Sequence, residues 1–159
     1  MATAPTGESA ELRAALLAGQ RFRQAVADHV GLSLSATVAL GHLADAGGRL
    51  SPGELAERML VRSGTLTAVI DRLARAGHVE RRPQQQDRRR VLVVLTPSGR
   101  RVAAYAQQHM ERALTAAQTT PASRRWLATL AQALNEEADR VQGRSSVGAP
   151  SPHRGRAGS

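Results

Sequence analysis

The stretch Ser51–Arg101, SPGELAERMLVRSGTLTAVIDRLARAGHVERRPQQQDRRRVLVVLTPSGRR, decides the fold of this 159-residue chain. It opens with a helix start: Ser51 is placed to cap the N3 amide, Pro52 suits the first helical position, and Glu54 can reach back to the cap's own N–H. The helix is short and ends near Met59. After the turn Leu60-Val61-Arg62, a second helix is expected over Ser63–Ala76, closed by Gly77. The pattern then changes period. His78–Arg82 reads as a strand, and the β-branched run Val91–Leu95 as its partner. Pro83–Arg90 between them is polar and charged, as a hairpin loop should be. Two helices joined by a three-residue turn and followed at once by a hairpin make the layout of a winged helix-turn-helix.

The second helix has the two faces that a recognition helix needs. At 100° per residue, Leu66, Val69, Ile70 and Leu73 gather on one side and pack against the domain. The other side carries Gly64, Thr67, Ala68, Asp71, Arg72 and Arg75. Small and hydroxylated residues near the N-terminus let the backbone approach base edges, and Arg72 and Arg75 can reach guanine or phosphate. The helix N-terminus itself favours a phosphate. A single amphipathic helix would be read as an ordinary solvated face. Here the charge distribution decides otherwise: residues 49–101 hold 12 arginines against 5 acids, a net +7 of the chain's +9.

Outward from this core the chain is helical. Leu12, Leu16, Val26 and Val30 recur at helical spacing over Ser9–Val30, with Gly31 at the end. A second helix is expected from Leu34 to Ala46, capped by Ser33, with Val38, Leu40 and Leu43 as apolar positions and Gly47-Gly48 as its stop. On the other side, Thr96-Pro97 opens a long helix to about Gln118. Thr120-Pro121 opens a final one to about Gln142, striped by Leu127, Leu130, Ala131, Leu134, Ala138 and Val141 with Trp126 beside it. The fold expected is mostly α with a small β-hairpin, in the order α-α-α-α-β-β-α-α. Its organisation is a disordered N-terminus over 1–8, a winged-helix DNA-binding domain over 34–96, a helical dimerisation region made of 9–33 and 97–142, and a disordered tail over 143–159. That last helix must bury its stripe on something, and a second copy of the chain is the economical answer.

Composition narrows the function further. All 22 basic residues are arginine, against 13 acids, and the pI is near 11.7. Such an excess points to a polyanion, nucleic acid or an anionic surface. Aromatic residues make up 2% of the chain, so the core must be aliphatic. The absence of cysteine excludes disulfides, thiolate nucleophiles and a peroxide-sensing thiol. Residues 1–10 lack a basic segment followed by an apolar stretch, and the longest apolar runs fall far short of the roughly 20 residues that span a bilayer. A cytoplasmic, nucleoid-associated protein without a membrane partner is expected. The 5 histidines are scattered and no zinc-protease or phosphate-loop motif is present, so neither an enzyme nor a metal or cofactor site is expected.

Residues 51–101 resemble the DNA-binding core of the MarR (multiple antibiotic resistance regulator) family. The likeness lies in the LAER helix, the SGTLT and IDRLARAGHVERR segments, the DRR wing and the LTPSGR stretch leading to the next helix. With the flanking helices it extends over about 9–142. The resemblance implies a homodimer interlocked through its first and last two helices, here through Leu12, Leu16, Trp126, Leu127, Leu130 and Leu134. It implies recognition helices in successive major grooves of a pseudo-palindromic operator, with wings in the adjacent minor grooves. Carried over by position, Ser63, Gly64, Thr65, Thr67, Ala68 and Arg72 face the DNA, with Arg62 and Arg75 at the ends of the helix. Asp87 would orient an arginine, one of Arg88, Arg89 or Arg90, into a narrow minor groove. A repressor of transcription released by a small-molecule effector is the function implied; a non-sensing architectural DNA-binding protein is the alternative. The sequence departs from the family's pattern at two places. Arg62 stands where a Ser or Asp cap is common, which moves the expected cap to Ser63. Ala36 and Thr37 stand where relatives carry aromatic or Gln residues that help line a ligand cleft. Arg13, Arg21, Arg23, His29, His42 and Tyr105 are the conceivable contacts of an effector.

Overall fold

Side-chain caps set where the helices begin. In the computed structural model, which describes residues 7–84 and 91–145, the elements are α1 (Gly7–Val30), α2 (Leu34–Asp45), β1 (Arg49–Leu50), α3 (Pro52–Met59), α4 (Ser63–Arg75), β2 (Val79–Pro83), β3 (Val91–Leu95), α5 (Pro97–Ala116) and α6 (Pro121–Ser145). Ser33 accepts from the Ala36 amide at the start of α2. Ser51 and Glu54 form the full capping box of α3, Ser51 Oγ accepting from the Glu54 amide while Glu54 Oε2 accepts from the Ser51 amide at 2.8 Å. Thr96 caps α5 by accepting from Gly99 N at 3.2 Å. Thr120 and Ser123 exchange the same pair of bonds at α6.

The structure corrects four boundaries. Arg62, not Ser63, is the N-cap of α4, and its side chain makes no capping hydrogen bond. The first strand of the hairpin is Val79–Pro83, one residue later than expected, because His78 N donates to Leu73 O in the turn that closes α4. Helix α6 runs through Ser145, three residues past its expected end; Gly143 costs a helix only about 1 kcal/mol and no proline stops it. Helix α1 begins at Gly7, inside the N-terminal segment expected to lack structure. The sheet also has a third strand that was not foreseen. β1 is two residues long, too short to show an alternating pattern, and its partner lies far along the chain. It pairs antiparallel with β3 through Arg49↔Val94 and Leu50↔Val93, giving the order β1-β3-β2.

Packing divides the chain between Glu111 and Arg112. In the first unit, Leu40 and Leu43 of α2, Leu55 of α3, Leu66, Ile70 and Leu73 of α4, Val79 of β2 and Val93 and Leu95 of β3 are all fully buried. Burial of this kind is worth about 1.5–3 kcal/mol per large aliphatic side chain. One junction in this unit is unusually tight. Thr96 Oγ1 donates to Gly77 O at 2.7 Å, Thr96 N donates to His78 O, and Ser98 Oγ lies 3.1 Å from His78 Nδ1. A Cβ on Gly99 would stand 2.0 Å from His78 O, so only glycine fits where α5 leaves the sheet. The second unit is different: no described side chain of α6 is buried within this chain.

Candidate nucleic-acid interface

The expected readout face of α4 is exposed as a continuous surface. Leu66, Val69, Ile70 and Leu73 are buried beneath it, while Ser63, Gly64, Thr65, Thr67, Ala68, Arg72 and Arg75 are exposed, with Arg62 at its head. Nothing lies within 4 Å of the place a Gly64 Cβ would occupy, so packing does not demand glycine there and the backbone is open to a partner. Thr67 Oγ1 donates back to Ser63 O, which leaves its methyl outward. Arg72 Nε donates to Ala68 O at 3.2 Å and Arg75 Nε to Asp71 O at 3.3 Å. These bonds hold each side chain along the helix and leave the terminal guanidinium nitrogens to reach outward. Asp87, Arg88, Arg89 and Arg90, the wing residues, lie outside the described residues.

The sheet register explains what the described base of the wing adds. Arg81 pairs with Val93 and so shares the core-side face of the ribbon, where it reaches Asp71 of α4 at 2.6 Å. The pair is nearly half exposed, so it contributes on the order of 0–1 kcal/mol; it ties the hairpin to α4. Arg82 pairs with Leu92 on the opposite, outer face and makes an ion pair with Glu80. There Arg49, Arg58 and Arg82, with Glu54 among them, border an open groove of about 920 Å³ to which Leu92 and Val94 contribute the apolar wall. Sequence reading missed this outer basic surface, because it depends on β1, whose pairing partner is far away in sequence. Alternation in Val91–Leu95 was the one local signal that could have assigned Leu92 and Val94 to it.

A second concavity of about 610 Å³ lies within the first unit between α1, α2 and α5. Its wall is mostly apolar (Phe22, Val26, Val38, Ala103, Met110), with Arg23, Arg100, Asp45 and Gln107 around it. Of the conceivable effector contacts only Arg23 lines it; Arg13, Arg21, His29, His42 and Tyr105 do not. His29 and Tyr105 instead stack at 4.7 Å, and Tyr105 leans on His109. Thr37, one of the two positions that depart from the family pattern, is buried, donates to Ser33 O and lines the cavity; Ala36 is buried in the core. Among the described residues no three acidic or histidine side chains are gathered as metal ligands, and no helix is long and apolar enough to cross a membrane.

Comparison with known proteins bears on this arrangement. Residues 30–90 match the MarR family model. The transcriptional repressor YetL of Bacillus subtilis is 46% identical over 52 residues, 33% of this chain and 31% of that protein, so the match spans about a third of the relative's length. The crystal structure of AbsC, a MarR family transcriptional regulator from Streptomyces coelicolor, superposes with a TM-score of 0.63 over 90% of this chain and 99% of that one, at 21% identity. A structure concerned with regulation of DNA binding of Bordetella bronchiseptica BpsR by 6-hydroxynicotinic acid superposes with a TM-score of 0.62 over 84% and 98%, at 24% identity. At these identities the two structures establish the shared fold, six helices with a three-stranded antiparallel sheet.

Proposed function

We propose that this chain, whose residues 30–90 match the MarR family model, is a transcription regulator that binds double-stranded DNA at a pseudo-palindromic operator as a homodimer, represses transcription there, and is released by a small molecule. The observation that carries the DNA reading is the exposed Ser63–Arg75 face of α4, held by a buried apolar face and tied to a hairpin that continues into an arginine-rich segment. Arg72 and Arg75 supply donors for guanine or phosphate, and the small residues before them let the helix end approach base edges. The name of the related YetL supports repression.

Dimerisation is supported by what the chain leaves uncovered. Leu16 and Leu17 of α1 and Trp126, Leu127, Leu134 and Val141 of α6 are exposed, and large apolar side chains in such number are expected to be covered by a partner. Two recognition helices related by a twofold axis would read a twofold-symmetric site. Effector release is supported by the 610 Å³ cavity, whose size falls within the usual range for small-molecule sites. Its apolar wall with Arg23 and Arg100 fits a small molecule with a planar or apolar body and an acidic group. The regulation of BpsR by 6-hydroxynicotinic acid is consistent with that class.

Selection of bound sequences from a random duplex pool tests the reading. An inverted repeat is expected; a pool with no palindrome would instead support an architectural protein. Against the selected site, Arg72→Ala should weaken binding about tenfold or more and flatten the preference at one base step, whereas Arg89→Ala should weaken all sequences alike and lower the salt slope by about 1. Unchanged affinity in both would overturn the assignment of recognition helix and wing.

A further inference from the structure

We propose that Leu60, which is outside the set assigned above, is an apolar contact of the operator beside the groove that α4 enters; the proposal rests on the DNA-binding reading of α4. The starting point is a comparison of helix ends. α1, α2, α3 and α4 all close in one way, with an i→i−3 bond followed by a bond from the next amide to a carbonyl five residues back. The pairs are Gly31→Asp28 with Leu32→Ala27, Gly47→Ala44 with Gly48→Leu43, Leu60→Glu57 with Val61→Ala56, and Gly77→Ala74 with His78→Leu73. The closure places its first donor in the left-handed region, and at α1, α2 and α4 that residue is glycine, at φ 68°, 74° and 74°. At α3 it is leucine, at φ 53° and ψ 40°.

A bulky residue in this region carries a steric cost that glycine does not. The side chain does nothing in the fold to offset it. Val61, the next residue, turns inward onto the core, while Leu60 is 85% exposed. The end of α5 also closes on a non-glycine residue, Gln118 at φ 50°, but that side chain is polar. Leu60 therefore combines a strained backbone with an apolar side chain held in water.

Its position gives the side chain a use. Leu60 stands three residues ahead of Ser63, the first residue of α4, between the exposed arginines Arg58 and Arg62. Three residues of chain span at most about 10 Å, so a duplex docked at the head of α4 comes within reach of Leu60. An apolar tip flanked by two guanidiniums matches duplex DNA, where phosphates alternate with deoxyribose faces and the major-groove edge carries thymine methyl groups. The closure at α3 aims this tip outward.

The test is Leu60→Gly in the full-length protein, with thermal melting and operator affinity measured side by side. The melting temperature should equal or exceed the parent's, while affinity falls about fivefold, the size of one lost apolar contact. Leu60→Met, flexible but apolar, should bind within about twofold of the parent. Replacing operator thymine by uracil separates the two sources. If the parent loses affinity on the uracil site and Leu60→Gly does not, the contact is a thymine methyl; if Leu60→Gly is weaker by the same factor on both, it is a sugar face. Parent-like binding by Leu60→Gly, in an assay where Arg72→Ala is weak, overturns the proposal and leaves the DNA reading intact. If Arg72→Ala also binds normally, the DNA reading of α4 fails and this inference falls with it. A melting temperature well below the parent's would show that Leu60 serves the fold instead.

Discussion

The winged helix and the last helix are built from the same kinds of residue and end in opposite states. Leu40 and Leu43 of α2, Leu55 of α3, Leu66, Ile70 and Leu73 of α4 and Val79, Val93 and Leu95 of the sheet disappear into one core, whereas Leu127, Leu134, Val141 and Trp126 of α6 remain exposed, Trp126 at 62%. Both segments read as amphipathic in sequence. The difference is that the first has complementary faces within the chain, through α2 against α3 and α4 and the sheet closing over them. The second unit offers α6 no such cover. The dimer proposal takes that exposed stripe as its support, and so rests on α6 more than on any other element.

The comparison can be broken most sharply at the winged-helix end. Gly99→Ala drives a methyl to 2.0 Å from His78 O, backbone against backbone, and should destabilise the first unit by about 3 kcal/mol or more, read by chemical denaturation. Near-normal stability would show that the α5 junction is looser than described. The α6 end should respond in another currency. Leu127→Glu combined with Leu134→Glu should leave the monomer's far-ultraviolet spectrum in place and weaken self-association at least about tenfold, measured by analytical ultracentrifugation. If the double variant stays as associated as the parent, α6 is not the interface. The smallest effect sharpens the local accounting: Ser51→Ala removes the acceptor for the Glu54 amide and should cost about 1 kcal/mol in the same denaturation experiment.

What the sequence made legible follows the range of the interactions concerned. The capping pairs Ser33–Ala36, Ser51–Glu54, Thr96–Gly99 and Thr120–Ser123 are local, and all were readable from three-residue spacings. The buried face of α4 was readable because helical periodicity is local too. β1 was not, since two residues have no period and its register is set by β3 some forty positions on. The one-residue shift of β2 has a different, local origin: His78 N donates to Leu73 O and so belongs to the closure of α4. The exposed face of α4 was legible as a surface, but the outer arginines Arg49, Arg58 and Arg82 needed the register to be seen together. Nor could Leu60 have been singled out, because a left-handed leucine is a fact about backbone angles and not about composition.

The glycine junction at the start of α5 has a mechanical consequence. Gly99 is pressed against His78 O, and Thr96 is bonded to both Gly77 and His78, the residues that close α4. One turn further along α5, Ala103 forms part of the wall of the 610 Å³ cavity. A joint with no slack passes rotation on instead of absorbing it, because close-packed interiors resist compression. α5 is thus joined directly to the end of α4, and a displacement on its cavity side would bear on that end with no loop between them.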